Sequence, residues 1–329
     1  MNTRAIVIPK AHTVELQEVA LKPLGVDDVL VQTVLTSISA GTERMLLSGV
    51  MPHPMLQFPV VPGYETVGEV IETGDNAKAW LGKRVYVGGN YGFIGVNPAF
   101  GGQSQYIVAP QTHLTDLQTL SDEQGVLLAL AATALHGVDQ ATGDGGRKTD
   151  GGASVVILGQ GIVGQLAARI AKARGMHVTV TDKVPARLAL SIADEVIDIS
   201  DSSSVVGGPS SVVNLQSPIS NLIDATGKME AIAPLLMKMQ KGGRIVLLGF
   251  YDCLSLPYQP IFLKELTLVS SSQWASGDVA RVRDMMINGE IDTANLITHR
   301  ADVSDAPHAF DVSFNDPACV KMVLNWRKS

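Results

Sequence analysis

The sequence predicts an α/β protein of two domains, a β-rich domain followed by a doubly wound parallel sheet. Three observations carry this expectation. The chain has 329 residues, more than one ordinary domain uses. Its first hundred or so residues hold short runs rich in β-branched residues with turn residues between them. From Ser154 onward, strand-like and helix-like segments alternate, the pattern that builds a parallel sheet covered on both faces. Hydrophobic residues make up 46% and charged residues 17%, which supplies a core and argues against disorder.

The elements follow in order. Strands are expected at Arg4–Ile8, Val29–Leu35, Val67–Ile71 and Arg84–Val87. Pro52, Pro54, Pro59 and Pro62 break the stretch between the second and third into a loop. Residues 88–105 hold six glycines and read as another loop before the strand Tyr106–Ala109. Ser121 with Gln124 is a capping-box start that leads into an apolar helix, Gly125–Gln140. Residues 142–153 read as a polar, Gly-rich surface link. The alternating half has strands at Val155–Leu158, His177–Thr181, Leu222–Asp224, Arg244–Leu248 and Leu266–Val269, with helices at Leu166–Arg174 and Ala231–Met239. The Ser-rich residues 200–220 read as a surface loop with one degraded helix. A helix at Asp278–Ile287 and the segment 295–329 complete the chain, which shows no internal repeat.

Several function classes drop out on composition. The chain carries 25 Lys+Arg against 32 Asp+Glu, a net charge of −7. With no basic block, it does not read as a nucleic-acid binder or as a protein held to anionic lipid by charge. Two cysteines, Cys253 and Cys319, cannot form a disulfide framework or a four-thiolate metal site. The opening residues show no signal-peptide pattern, and the longest apolar run, Gly125–Ala134, is too short to span a membrane. A cytoplasmic protein is the expectation.

One motif carries chemistry. Val155–Gly164 places Gly159, Gly161 and Gly164 as G-x-G-x-x-G directly after a strand and at a helix start, with Ile162 and Val163 opening the helix. The first glycine permits the tight turn, the second lets the backbone approach a pyrophosphate, and the third lets helix and strand pack closely. The helix N-terminus offers unpaired N–H groups to the phosphates. Asp182 ends the next strand, placed to bond both ribose hydroxyls and to repel a 2′-phosphate, so NAD is expected over NADP. Lys183 and Arg187 lie nearby, as surface charges or as partners for a phosphate.

With this context the chain resembles the medium-chain dehydrogenase/reductase family over nearly all its length. Matching segments are Pro62–Gly68, Asp224–Gly227, Gly242–Gly249 and Phe262–Leu266. The resemblance implies a GroES-like β domain at 1–124 with 295–329, and a Rossmann NAD-binding domain at 125–294. It adds Thr226, Gly227 and Gly249 to the cofactor-binding residues. It also exposes departures. Where zinc-bearing members carry a Cys and a His, this chain has Ser39 and Tyr64, and residues 88–105 lack the four cysteines of a structural zinc. Neither replacement is an ordinary zinc ligand, so no metal is expected. The blocks Ser37–Glu43, Leu47–Pro52 and Phe58–Glu65 resemble a zinc-free branch, which implies oxidation of a hydroxyethyl group on a chlorin or bacteriochlorin pigment.

Without zinc, side chains must handle the hydroxyl proton. Thr42 matches the family's relay hydroxyl, and Tyr64 can act as acid or base. Glu65 and Glu43 are carboxylates in the same segments, and Glu65 reads more readily as the partner of a buried basic group. Ser39 reads as a small spacer. His136 lies on an apolar helix and is expected to be a core residue with a minor claim on the site, near a cleft between the domains. The stretch Met45–Pro59 is either ordinary packing under a Pro-rich loop or an apolar wall for a flat substrate, a role that suits adaptable Met side chains. A quinone or enoyl reductase and a non-catalytic NAD-binding protein remain as alternatives. The family resemblance implies a homo-oligomer, a dimer or larger, paired through the Rossmann edge strand near Leu266–Ser270.

Overall fold

A computed structural model describes residues 1–52, 56–90, 92–143, 153–200 and 218–327. The expected links at 142–153 and 200–220 fall almost entirely outside these. The chain divides into two compact units, Met1–Ala129 with Ile297–Ser329, and Leu130–Leu296.

In chain order the first unit begins β1 (Asn2–Val7), β2 (Glu15–Leu21), β3 (Asp28–Ile38), α1 (Ala40–Ser48), β4 (Val60–Val61) and β5 (Thr66–Thr73). It continues β6 (Arg84–Val87), β7 (Phe93–Ile94), β8 (Asn97–Pro98), β9 (Tyr106–Pro110), β10 (Leu114–Asp116) and α2 (Asp122–Gly125). Next come α3 (Leu128–Thr142), β11 (Ser154–Leu158), α4 (Ile162–Ala173), β12 (His177–Asp182), α5 (Pro185–Leu188), β13 (Glu195–Asp198) and β14 (Ile219–Asp224). Then follow α6 (Met229–Ile232), β15 (Met239–Leu247), α7 (Tyr258–Lys264), β16 (Thr267–Ser270) and α8 (Asp278–Ile287). The chain ends with β17 (His299–Asp302), α9 (Ala306–Asn315) and β18 (Met322–Asn325).

The fold class is α/β as the sequence predicts, and the differences are local. β2 and β13 escape the sequence pattern because ELQEVAL and EVID interrupt their apolar residues with polar ones and hold no sustained β-branched run. The expected loop at Met45–Pro59 begins inside a helix, since α1 runs to Ser48 and stops where Gly49 turns left-handed at φ 77°. The expected helix at Ala231–Met239 is a short α-turn followed by a 3₁₀ turn, Ala233–Lys238, and Met239 already belongs to β15. The Ser121–Gln124 capping box forms, but it caps the short α2, and the long apolar helix restarts at Leu128.

Long β3 organises the first unit. It pairs antiparallel with β5, β9 and β18 in a seven-stranded sheet ordered β10-β6-β5-β3-β18-β17, with β9 off that path. β18 comes from the C-terminal segment, and its register sets Met322 opposite Ile38. That pairing brings Lys321 to the end of β3. α9 packs Phe310, Ala306 and Ala309 onto Ile6, Ile38 and Trp326, which holds the returning segment in place.

The second unit is a six-stranded, wholly parallel sheet ordered β13-β12-β11-β14-β15-β16. Strand order reverses between β11 and β14, the point where open α/β sheets bind ligands outside their carboxyl ends. The strands are buried runs such as SVVIL, with four of five residues buried, because helices cover both faces. α4 turns a nearly continuous buried face, Gly164–Ala171, onto the sheet.

The Gly-rich turn shows why its residues are glycines. Gly159 sits at φ 87°, left-handed backbone, and an added Cβ would lie 2.8 Å from Thr226. A Cβ on Gly164 would collide with the Gly159 carbonyl oxygen, so α4 could not approach β11. Gly161 is different: a Cβ there would meet nothing within 4 Å. Gly164→Ala is therefore expected to cost about 1–3 kcal/mol of stability through overpacking. Gly161→Ala should leave stability within about 0.5 kcal/mol. Chemical denaturation of the two variants side by side checks the contrast.

Candidate active site

The end of β3 passes into α1 through Ser39, and this junction gathers the hydroxyl candidates. Ser39 is the N-cap of α1, yet its side chain makes no capping bond. An N-cap serine ordinarily accepts from an N–H of the first turn. Here its Oγ is instead hydrogen-bonded to the Tyr64 hydroxyl at 2.7 Å. The Thr42 side chain, one turn into α1, is hydrogen-bonded to the same tyrosine. Tyr64 is half-buried, its ring set edge-on to Phe100 with centroids 5.1 Å apart. Its carbonyl accepts from the Tyr86 hydroxyl at 2.9 Å. Burial and then the neighbouring Glu65 push the Tyr64 hydroxyl well above the ordinary tyrosine range, and the bonds from Ser39 and Thr42 only partly oppose this. Tyr64 therefore keeps its proton at physiological pH and serves as a hydrogen-bonding hydroxyl, not as a standing phenolate.

Beneath this pair lies a buried ionic cluster. Glu65 is 1% exposed, and its Oε2 accepts hydrogen bonds from the Ser37 hydroxyl and the Lys321 ammonium. Lys321 also donates to the Ile38 carbonyl at 3.0 Å. The expectation that Glu65 pairs with a buried base is met, and the base is a lysine from the last strand. Glu43 accepts from the Ser39 backbone N–H at 3.0 Å and from Gln103 Nε2 at 3.4 Å. Its carboxyl is pushed up to about 8 by burial and then by Glu65, against the opposing pull of Lys321. Gln103 also donates to the Ser37 carbonyl at 3.1 Å and accepts from Thr36, whose Oγ1 in turn accepts from Trp326 Nε1 at 2.9 Å.

His136 does not join this cluster through any of these bonds. It lies in the second unit, with Nδ1 3.7 Å from Asp278 Oδ2. The stretch after Met45 largely packs inward: Met45, Leu47, Leu56 and Phe58 sit partly buried on Ile8, Leu46, Met51, Val60 and Ala99.

In the second unit the cofactor candidates collect at the carboxyl ends of the strands. Gly161 caps α4 and leaves space for an anion to meet the helix N-terminus. Asp182 is buried and accepts from the Gln160 N–H at 2.5 Å and the Val184 N–H at 2.9 Å. Each carboxylate oxygen keeps a lone pair for a ribose hydroxyl. Lys183 is exposed and Arg187 half-buried. At the end of β14, Asp224 is fully buried and pins the next turn. Its Oδ1 accepts from Thr226 Oγ1 at 2.6 Å, and its Oδ2 from the Gly227 N–H at 3.1 Å and from the Tyr251 hydroxyl. A Cβ on Gly249 would collide with Gly227, so the turns after β14 and β15 touch backbone to backbone.

Sequence reasoning missed three participants: Ser39 as more than a spacer, Lys321, and the Asp224–Tyr251 pair. Lys321 had a signal, a lone charge inside the apolar run Cys319–Leu324. Asp224 and Tyr251 are 27 residues apart, and nothing in the pattern links them.

The fold agrees with that of known proteins. Residues 25–119 match the family model "Alcohol dehydrogenase GroES-like domain" and residues 163–288 match "Zinc-binding dehydrogenase". The chain belongs to the medium-chain dehydrogenase/reductase family, a family of oxidoreductases. It is 32% identical over 338 residues, 99% of both chains, to the 2-desacetyl-2-hydroxyethyl bacteriochlorophyllide A dehydrogenase of Cereibacter sphaeroides. It is 31% identical over 99% of both chains to the protein of that name from Rhodobacter capsulatus. Among solved structures, an alcohol dehydrogenase of Escherichia coli CFT073 complexed with NADH superposes with a TM-score of 0.83, 23% identity and coverage of 98% and 99%. A chain from Sinorhizobium meliloti 1021 bound to NADP gives 0.82, with 23% identity and 99% of each chain covered.

The zinc in the second family description meets a poor donor set here. Ser39 and Tyr64 are neutral hydroxyls bonded to each other, and Glu65 is committed to Lys321. Among the described residues no group of three or more His, Cys, Asp or Glu is placed to hold a metal. Nor is any described helix long and apolar enough to cross a membrane. Cys253 is exposed and Cys319 buried, and the two are not joined in a disulfide.

The ion pair makes a measurable demand. Lys321→Met leaves the Glu65 carboxylate buried without a cation, which should cost about 3–5 kcal/mol. Adding Glu65→Leu should restore much of that loss, because removing both charges is far milder than removing one. Urea denaturation of the single and double variants at neutral pH is the check.

Proposed function

We propose that this protein is an NAD-dependent dehydrogenase of bacteriochlorophyll synthesis. It oxidises the 3-(1-hydroxyethyl) group of a bacteriochlorophyllide to the 3-acetyl group, without catalytic zinc. The observation that carries the reading is the 32% identity, end to end, with the Cereibacter sphaeroides enzyme. The site chemistry supports it.

NAD, when bound, supplies the hydride acceptor, held by the Gly159–Gly164 turn, Asp182, Thr226, Gly227 and Gly249. The chain's own work is the proton. Oxidation of a secondary alcohol releases one proton along with the hydride. Tyr64 keeps its proton, so it passes a proton on by accepting one and giving its own to a neighbouring hydroxyl, which in the same motion releases one to solvent through half-buried Thr42. Ser39 at 2.7 Å and Thr42 are those neighbours. Such a relay needs aligned hydroxyls and no metal. The half-exposed faces of Met45, Leu47, Leu56 and Phe58, with Val50 66% exposed beside them, offer an apolar surface for a flat pigment. Binding energy from such a remote surface can orient the reacting carbon.

A homo-oligomer fits the second unit. β16 is an open sheet edge, and Phe250, Tyr258, Phe262 and Leu263 are each more than half exposed near it. An open edge beside exposed apolar side chains suits pairing with a second copy.

The central test incubates chelator-treated protein with NAD and the hydroxyethyl pigment. A shift of the pigment's red band, as the new carbonyl joins the macrocycle, is expected to match NADH formation. Tyr64→Phe and Thr42→Ala should each slow turnover by roughly 10²–10⁴-fold with little change in pigment affinity. Rapid quinone reduction with no pigment oxidation would overturn the substrate reading, and restoration of activity only by zinc would overturn the metal-free one.

Cofactor choice has its own test. Both NADH and NADP occur in relatives of this fold, so the residue at the end of β12 decides. Asp182→Ser should weaken NAD binding by about tenfold or more, some 1.4 kcal/mol, and relax discrimination against NADP. A wild type that prefers NADP would place Lys183 or Arg187 on the 2′-phosphate instead.

A further inference from the structure

Three ionisable side chains from separate stretches of sequence are buried together: Glu43 on α1, Glu65 ahead of β5 and Lys321 ahead of β18. Each is 2% exposed or less. Two carboxyls face one ammonium. Lys321 is committed to Glu65 Oε2 and the Ile38 carbonyl, so Glu43 has no cation of its own. Both groups seen donating to Glu43 are neutral, the Ser39 N–H and Gln103. Glu65 Oε1 is buried and has no hydrogen-bond partner. A buried acceptor without a donor is costly, and a second buried carboxylate beside it adds like-charge repulsion. In a desolvated pocket two carboxylates and one cation do not all stay charged.

We propose that Glu43, Glu65 and Lys321 form a one-proton store beneath the Ser39–Tyr64 pair, with Glu43 the positioning residue whose ionisation closes the enzyme's working range on the alkaline side. The proposal rests on the reading of Tyr64 as the proton-handling hydroxyl. With the proton in place, the cluster is neutral: one carboxylate, one ammonium, one carboxylic acid. When Glu43 gives its proton to solvent, the pocket gains a net negative charge. That charge raises the energy of any alkoxide forming against Tyr64 and strengthens the hold of Tyr64 on its own proton. It also sets Glu43 against Glu65 across the N-cap that aims Ser39. The titratable and charged groups facing Glu43 are Glu65, Lys321 and Tyr64, and burial with Glu65 sets its ionisation at about 8.

The stability sign follows from the same shift. A carboxyl that titrates at about 8 when folded, against 4.5 ordinarily, binds more protons in the folded state between those limits. Stability is then full below the lower value and falls as pH rises through the higher one.

Three measurements test the store. Infrared difference spectra of the wild type should show a protonated-carboxyl band that vanishes as pH passes about 8 and is missing from Glu43→Gln. The wild type should lose urea stability as pH rises from 4.5 to about 8, with a flatter profile in Glu43→Gln. The pH profile of kcat/KM for alcohol oxidation should fall on the alkaline side in the wild type. Glu43→Gln and Glu65→Gln should both remove that limb, since each leaves one carboxylate for one lysine, whereas a purely structural role would lower rates without moving the limb. An infrared spectrum without the band overturns the store, as does an alkaline limb unchanged in both variants. The infrared and stability readings need no substrate. A band that titrates as expected in a protein that oxidises no alcohol would sink the functional reading and the working-range role together, leaving the store itself in place.

Discussion

The pairing of Lys321 with Glu65 is the contact on which the first unit's arrangement turns. Both side chains are removed from water, and a buried pair is held in place by the cost of breaking it more than by the energy of making it. Around it, Ser37 bonds Glu65 and the Ile38 carbonyl receives Lys321. Thr36, Gln103 and Trp326 extend the network outward. β3, α1, β5 and β18 each contribute a group next to one charge pair. The end of β3 is thereby fixed, and with it the direction in which α1 departs.

That fixed departure frees Ser39 for other work. A serine at a helix start usually spends its hydroxyl on the helix. Here Glu43 reaches back to the Ser39 N–H, while the Ser39 hydroxyl turns to Tyr64. The helix start gives up one ordinary stabilising bond, and a pair of hydroxyls is aligned in return. The family resemblance implies metal ligands at these two positions in zinc-bearing members. In this chain they hold each other.

Much of this was legible in the sequence, for reasons that differ between the two units. The cofactor turn was readable because each glycine answers a local steric demand within a few residues, as Gly164 does against Gly159. The parallel sheet was readable because buried strands are continuous apolar runs. β2 and β13 were not, since their polar edges resemble loops. The site in the first unit was half legible. Thr42, Tyr64, Glu43 and Glu65 stand close together in sequence, but Lys321 and Gln103 reach them only through strand pairing. Register between β3 and β18 is a tertiary fact, and no periodicity within either strand announces it. His136 sits on the apolar helix that the sequence predicts, and its neighbour Asp278 lies far along the chain, out of reach of any local pattern.

The return of residues 297–327 to the first unit has a consequence for the order of assembly. The second unit is one unbroken stretch, 130–296, and can close as soon as it is complete. The first unit cannot, because β3 lacks β18 and Glu65 lacks its cation until the last strand has been made. During synthesis, Glu65 must stay in water or take up a proton until an ammonium 256 positions downstream of it arrives. Loop-closure entropy grows only slowly with length, so the wait costs time more than stability. The segment that carries Lys321 acts as a completeness check: without it, the parallel sheet has all its strands while the cluster around Glu65 lacks its cation.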